Sequence, residues 1–161
     1  MAKISITRPF RVYVDTSTIG GCFDPEFATD SLRQFDLVRS GFLSVVASDV
    51  VFEELKAAPS EVRDVLATIP AARIERVTLT DEIITLRDAY IRVGVVSERW
   101  RDDATHVAAA TVARADAIVS WNFKHIVRLD RIKAYNQVNL ANGYGILTIL
   151  SPREVRYEDE E

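Results

Sequence analysis

A chain of 161 residues, 48% hydrophobic and 27% charged, is long enough to bury one core and too evenly mixed to be disordered or fibrous. Twenty basic residues stand against 24 acidic ones, but Glu158 to Glu161 are all acidic, so the rest is balanced and only a local basic face is open to nucleic acid. Those last four residues read as a solvated acidic tail on a single domain spanning 1–157. The single cysteine, Cys22, excludes an internal disulfide, and beside only two histidines it excludes a Cys/His zinc module. No apolar run approaches the roughly 20 residues that span a bilayer. The opening MAKISITRPF lacks the apolar stretch of a secretory signal, so the expectation is a cytoplasmic protein with no membrane partner.

Val12 to Val14 reads as a short buried strand, broken by Asp15-Thr16-Ser17 and the pair Gly20-Gly21. Phe27 to Arg39 carries Leu32, Phe35 and Leu37-Val38 at helical spacing. Phe42 to Ala47 is a second strand, and Ser48 with Asp49 caps a helix that runs to about Ala58 before Pro59. Ser60 and Glu61 open another short helix, ended before Pro70. Ile74 to Leu79 is weakly strand-like, and Thr80-Asp81 opens a helix closed by Gly94. Trp100 to Ala115 is the clearest helix, with Ala104, Ala108, Thr111 and Ala115 on one face. Ala117 to Ser120 is a strand, Lys124 to about Asn142 is helical, and Ile146 to Leu150 is a last strand before Pro152. Short apolar strands alternating with helices predict an α/β fold, a three-layer α/β/α sandwich around a parallel sheet.

In such sheets function gathers at the carboxyl ends of the strands. Asp15 ends the first strand and is followed by the hydroxyls of Thr16 and Ser17; Glu53-Glu54 lie on the helix after the second strand. Asp102-Asp103 open the alanine-rich helix, and the strand after it runs into Ser120-Trp121-Asn122. Two carboxylates 4 Å apart repel by about 4 kcal/mol at an effective dielectric near 20, so a converging set calls for a cation. Hard oxygen donors suit Mg²⁺ or Mn²⁺, which serve phosphodiester hydrolysis.

The segments VYVDTSTIGG, EEL, DDATHVAAATVARADAIVSWNFKHI and SPREV, in that order, resemble a PIN domain over nearly the whole chain, closest to the VapC-like ribonucleases. The resemblance implies a metal site formed by Asp15, Glu54, Asp103 and Asn122, with Thr16, Ser17 and Ser120 as supporting hydroxyls. Asn122 is neutral where an acid also occurs. It further implies a Mg²⁺- or Mn²⁺-dependent endoribonuclease, blocked by a cognate antitoxin and forming a homodimer. The alternative is a PIN-fold protein that binds RNA or a partner without cleaving it. A phosphatase on a similar sheet is disfavoured by the absence of DxDx[TV] after the first strand.

Gly20-Gly21 lacks the spacing of a nucleotide-binding loop, with no lysine to follow it. His106, three residues after Asp103, reads as a helix-face residue or a support for a ligand. Trp121, Lys124, His125 and Arg128 are candidate RNA contacts within a stretch of basic residues interleaved with Trp121 and Tyr135. On the helix from Asp49, Glu54 shares the face of Val50 and Val51 and should point inward, while Glu53 should face solvent. By the same spacing Asp103, rather than Asp102, faces inward.

Overall fold

The computed structural model describes residues 8–156; the acidic tail expected at 158–161 and residues 1–7 and 157 of the expected domain lie outside them. Five strands form: β1 (Phe10–Val14), β2 (Leu43–Ser48), β3 (Ile74–Val77), β4 (Ala117–Val119) and β5 (Thr148–Leu150). All pair in parallel in the order β3-β2-β1-β4-β5. Seven α-helices flank this sheet among the described residues, giving the α/β/α sandwich: α1 (Thr16–Gly20), α2 (Ala28–Arg39), α3 (Asp49–Lys56), α4 (Ser60–Ala67), α5 (Asp81–Val93), α6 (Arg101–Val112) and α7 (Leu129–Ala141). None is long and apolar enough to cross a membrane.

The central strands are apolar on both faces, with Tyr13, Val14, Val45, Val46 and Ala47 all fully buried, as a sheet covered by helices requires. α6 packs against α5 and the sheet, and every residue from Ala104 to Thr111 is buried. The expected single apolar stripe is therefore too narrow: four alanines let neighbouring elements approach this helix from all sides. It ends at Val112 because Arg114 turns into the left-handed region at φ 56°.

Two stretches differ from the sequence reading. The break after Asp15 is instead a helical turn, α1, capped by the Asp15 side chain, which accepts from the Thr18 N–H. Residues 124–128 are not helical. The Asn122 Oδ1 accepts from the backbone N–H of Lys124 and of His125, which makes a tight turn, and α7 begins only after Arg128 has taken an extended conformation.

Gly21 sits where the chain leaves α1 against Trp121. A Cβ there would lie 2.6 Å from the Ser31 Oγ and 2.7 Å from the Trp121 Nε1. Gly21→Ala is expected to destabilise the fold by about 1–3 kcal/mol through overpacking, read as a lower urea midpoint with an unchanged slope.

Candidate active site

β1 leads to β2 on one side of the sheet, while β4 and β5 lie on the other, so the crevice beyond the carboxyl ends of β1 and β4 is the switch point. Asp15 follows β1 and Ser120 follows β4 directly. Asp15 is only 4% exposed, yet both of its oxygens are satisfied. Its Oδ1 accepts from the Ser17 Oγ at 2.6 Å and the Thr18 N–H at 3.3 Å, and its Oδ2 from the Ser120 Oγ at 2.5 Å. The two serines are fixed in turn, the Ser17 Oγ accepting from the Trp121 N–H and the Ser120 Oγ from the Asn122 N–H. Burial pushes the Asp15 pKa above the ordinary carboxyl value, against the opposing pull of the His106 charge and of these hydrogen bonds.

His106 joins two further elements to this centre. Its ring lies on α6, fully enclosed, between the Tyr13 hydroxyl on β1 and the Glu54 carboxylate on α3, each at 2.7 Å. The Tyr13 hydroxyl also reaches the Ser48 Oγ at 2.7 Å, and that oxygen caps α3 by accepting from Val50. Burial opposes charge on the imidazole, but Tyr13, Glu54 and Asp15 outweigh it and hold its pKa well above the ordinary histidine value. Both ring nitrogens are thus engaged, Nδ1 with the Tyr13 hydroxyl and Nε2 with the Glu54 carboxylate.

Glu54, Asp103 and Asn122 line one groove of about 470 Å³ together with Arg99, Trp100, Asp102, Lys124 and His125. Glu54 is turned into the site, whereas Glu53 is exposed and paired with Lys56 at 2.7 Å. Asp103 is half-buried and Asp102 exposed. Burial raises the Asp103 pKa; the Asn122 side-chain hydrogen bond and the His106 and His125 charges lower it, and Asp15 raises it further. His125 is shifted the other way, lowered by burial despite the Asp103 charge.

Solved structures with this arrangement of strands and helices match over most of both chains. VapBC2 from Rickettsia felis, bound to a DNA fragment from its promoter, aligns with a TM-score of 0.57 at 11% identity, covering 88% of this chain and 98% of that one. FitAcB from Neisseria gonorrhoeae gives 0.56 at 13%, covering 89% and 99%. VapC20 from Mycobacterium tuberculosis, a toxin that cleaves the sarcin–ricin loop, gives 0.55 at 13%, covering 84% and 98%. The chain has a PIN-domain fold. No family model and no curated relative matches the sequence, so the likeness is one of architecture.

Within this PIN fold several expected site residues stand elsewhere. Trp121 is 6% exposed, stacked on Phe27 with its Nε1 donating to the Ser31 Oγ, so its ring has no face left for a base. Tyr135 is buried too, its hydroxyl donating to the His125 carbonyl. Arg128 is held by both carboxylate oxygens of Asp130 and does not line the groove. Asn122 differs in role: its Oδ1 already accepts two backbone N–H bonds, which uses both lone pairs, and its side chain bonds to Asp103. Thr16 keeps a buried hydroxyl with no partner.

Among the described residues no three Asp, Glu, His or Cys side chains stand close enough to form a ready-made cage. The donors nevertheless fit a hard divalent cation in kind. Asp15 and Asp103 are carboxylates of raised pKa whose hydrogen-bond partners are hydroxyl, backbone N–H and amide groups rather than lysine or arginine. Added positive charge between them would relieve both.

Two outcomes follow for the protein without metal. An acid whose pKa is raised by folding costs stability once the pH passes the unfolded value near 3.9. Asp103→Asn is therefore expected to raise the melting temperature at pH 7, with the gain disappearing as the pH falls below the ordinary carboxyl range. Tyr13→Phe leaves Ser48 and His106 facing an apolar edge, and should lower stability by about 1–3 kcal/mol in urea titration.

Proposed function

We propose that the chain is a Mg²⁺- or Mn²⁺-dependent endoribonuclease of the toxin type, hydrolysing RNA phosphodiester bonds in the cytoplasm. The observation that carries this reading is the gathering of Asp15, Glu54 and Asp103, from three separate elements, around the switch-point crevice. A protein that only bound RNA would gain nothing from placing buried carboxylates where phosphates approach. Asp15, Asp103 and Glu54 would hold the ion. When bound, it lowers the pKa of an attacking water and neutralises charge developing on the phosphoryl oxygens.

The chain's own groups have separable tasks. Ser17, Ser120 and the Thr18 N–H fix the direction of the Asp15 carboxylate. His106 orients Glu54 and offsets acidic charge, and Asn122 orients Asp103. Lys124 and Arg99 give the same groove two cations to meet the RNA backbone. The fold supports the reading through VapC20, which is described as cleaving an RNA loop. VapBC2 and a toxin–antitoxin complex from Klebsiella pneumoniae support an antitoxin as partner. A homodimer is proposed alongside it.

The purified protein is expected to cleave single-stranded RNA with Mn²⁺ or Mg²⁺ and to stop on addition of EDTA. Asp15→Asn, Glu54→Gln and Asp103→Asn should each lower single-turnover cleavage by about 10²–10³-fold, whereas Glu53→Gln and Asp102→Asn keep most of it. Asn122→Ala should lose less than Asp15→Asn. Undiminished cleavage in EDTA would overturn the metal mechanism, and RNA binding without cleavage in either metal would leave a binding protein.

A further inference from the structure

We propose that the stacked pair Trp100–His125, flanked by Arg99 and Lys124, is a subsite for one unpaired nucleobase of RNA, beside the phosphodiester held at the acidic crevice. This deepens the nuclease reading and rests on it for the identity of the ligand. Its geometry is independent of the carboxylates.

Trp100 ends the 3-10 turn Glu98–Trp100 and is the N-cap of α6, two residues before the acidic pair. Its indole is 37% exposed and lies on the His125 imidazole, with ring centroids 4.2 Å apart and planes 25° from parallel. The His125 backbone is held on both sides: its N–H donates to the Asn122 Oδ1 at 2.9 Å, and its carbonyl accepts from the buried Tyr135 hydroxyl at 2.8 Å. The buried Tyr135 hydroxyl and the Asn122 amide thus hold the His125 backbone under the platform. Of the chain's two tryptophans, one is walled into the core and the other is set at the rim of the crevice.

The charges around the pair are distributed unlike those nearby. Arg101 is paired with Glu98 and Arg128 with Asp130. Arg99 and Lys124, which line the groove, have no carboxylate partner among the described residues; the Arg99 guanidinium lies 5.0 Å from the indole centroid. A cation over an exposed indole is a weaker contact than a stacked base, so a base can displace Arg99 and leave its charge free for the adjoining phosphate. The groove, at about 470 Å³, has room for one nucleotide. Its two sides match the two ends of that ligand, with carboxylates suited to a metal-bridged phosphate and rings with cations suited to a base and the next phosphate. In a duplex the bases are stacked internally and offer no free face, so the subsite selects single strands, loops or bulges.

The test uses the full chain and three RNAs: an oligoadenylate dodecamer, the same dodecamer with abasic residues, and the dodecamer paired with oligouridylate. Tryptophan quenching of the wild-type chain, and fluorescence anisotropy of end-labelled RNA for the wild type and every variant, are followed at low salt in EDTA, where no cleavage is expected; steady-state cleavage in Mn²⁺ is followed separately. The dodecamer is expected to quench, and the abasic and duplex forms to do so at least tenfold more weakly. Trp100→Ala should bind the dodecamer about tenfold less tightly, as loss of one base stack implies, while Trp100→Phe stays within about threefold. In Mn²⁺, Trp100→Ala should raise KM by a similar factor with kcat little changed. Equal binding of based and abasic strands, equal binding of duplex, no quenching by any strand, or a Trp100→Ala variant that binds like wild type would each overturn the subsite. Should Trp100→Ala fail to fold, the based-against-abasic comparison on the wild-type chain decides alone. Base-dependent quenching without cleavage would sink the nuclease reading and leave the subsite standing. Cleavage with a KM indifferent to Trp100 would do the reverse.

Discussion

A carboxylate buried at the end of the central strand must be satisfied on both oxygens, and most of this molecule's local design answers to that demand. Taking an isolated charge out of water costs several kcal/mol even after the protein relaxes. Asp15 meets the cost with two serine hydroxyls and a backbone N–H, drawn from α1 and from the end of β4. The same serines accept from the Trp121 and Asn122 N–H groups, so the loop after β4 is tied to the helical turn after β1. Neither loop can move without exposing or stranding the acid. The His106 ring then links the centre to α3 through Glu54 and to β1 through Tyr13, and three elements share one hydrogen-bonded unit.

This unit is built against stability. Burial raises the pKa of both Asp15 and Asp103, and Asp103 also sits in the field of Asp15. A fold chosen only for its melting temperature would replace them with neutral groups. Retaining them is sensible where a cation is to be captured, because the binding free energy then includes relief of a strain the fold already carries.

Much of this was legible in the chain. β-branched runs located the strands, and the three-versus-four spacing on α3 correctly set Glu54 inward and Glu53 outward. Other features were hidden because they depend on contacts distant in sequence. The helical turn α1 exists because Asp15 caps it, and a Thr-Ser-Thr run before two glycines has little helical preference of its own. The stretch after Asn122 looked helical by composition, and Asn122 does cap a turn there, but the extended backbone at Arg128 separates that turn from α7. Trp121 beside lysine and histidine looked like a nucleic-acid contact, yet Gly21 and Ser31 open a slot that takes its ring inward. Nothing local distinguishes that indole from the one at Trp100. His106 showed only its helix face, and its partners lie 52 and 93 residues away.

The two margins of the sheet have a consequence for assembly. β5 spans only three residues and runs into Ser151 and Pro152, which cannot extend a ladder far. β3 spans four, and its exposed Glu75 and Arg76 are engaged by Arg11 and Asp49. Short margins armed with charge are poor templates for an incoming strand. Association by lateral extension of the sheet is closed off, and whatever docks on this molecule, whether a second copy or another protein, must do so by packing side chains on its helices and loops.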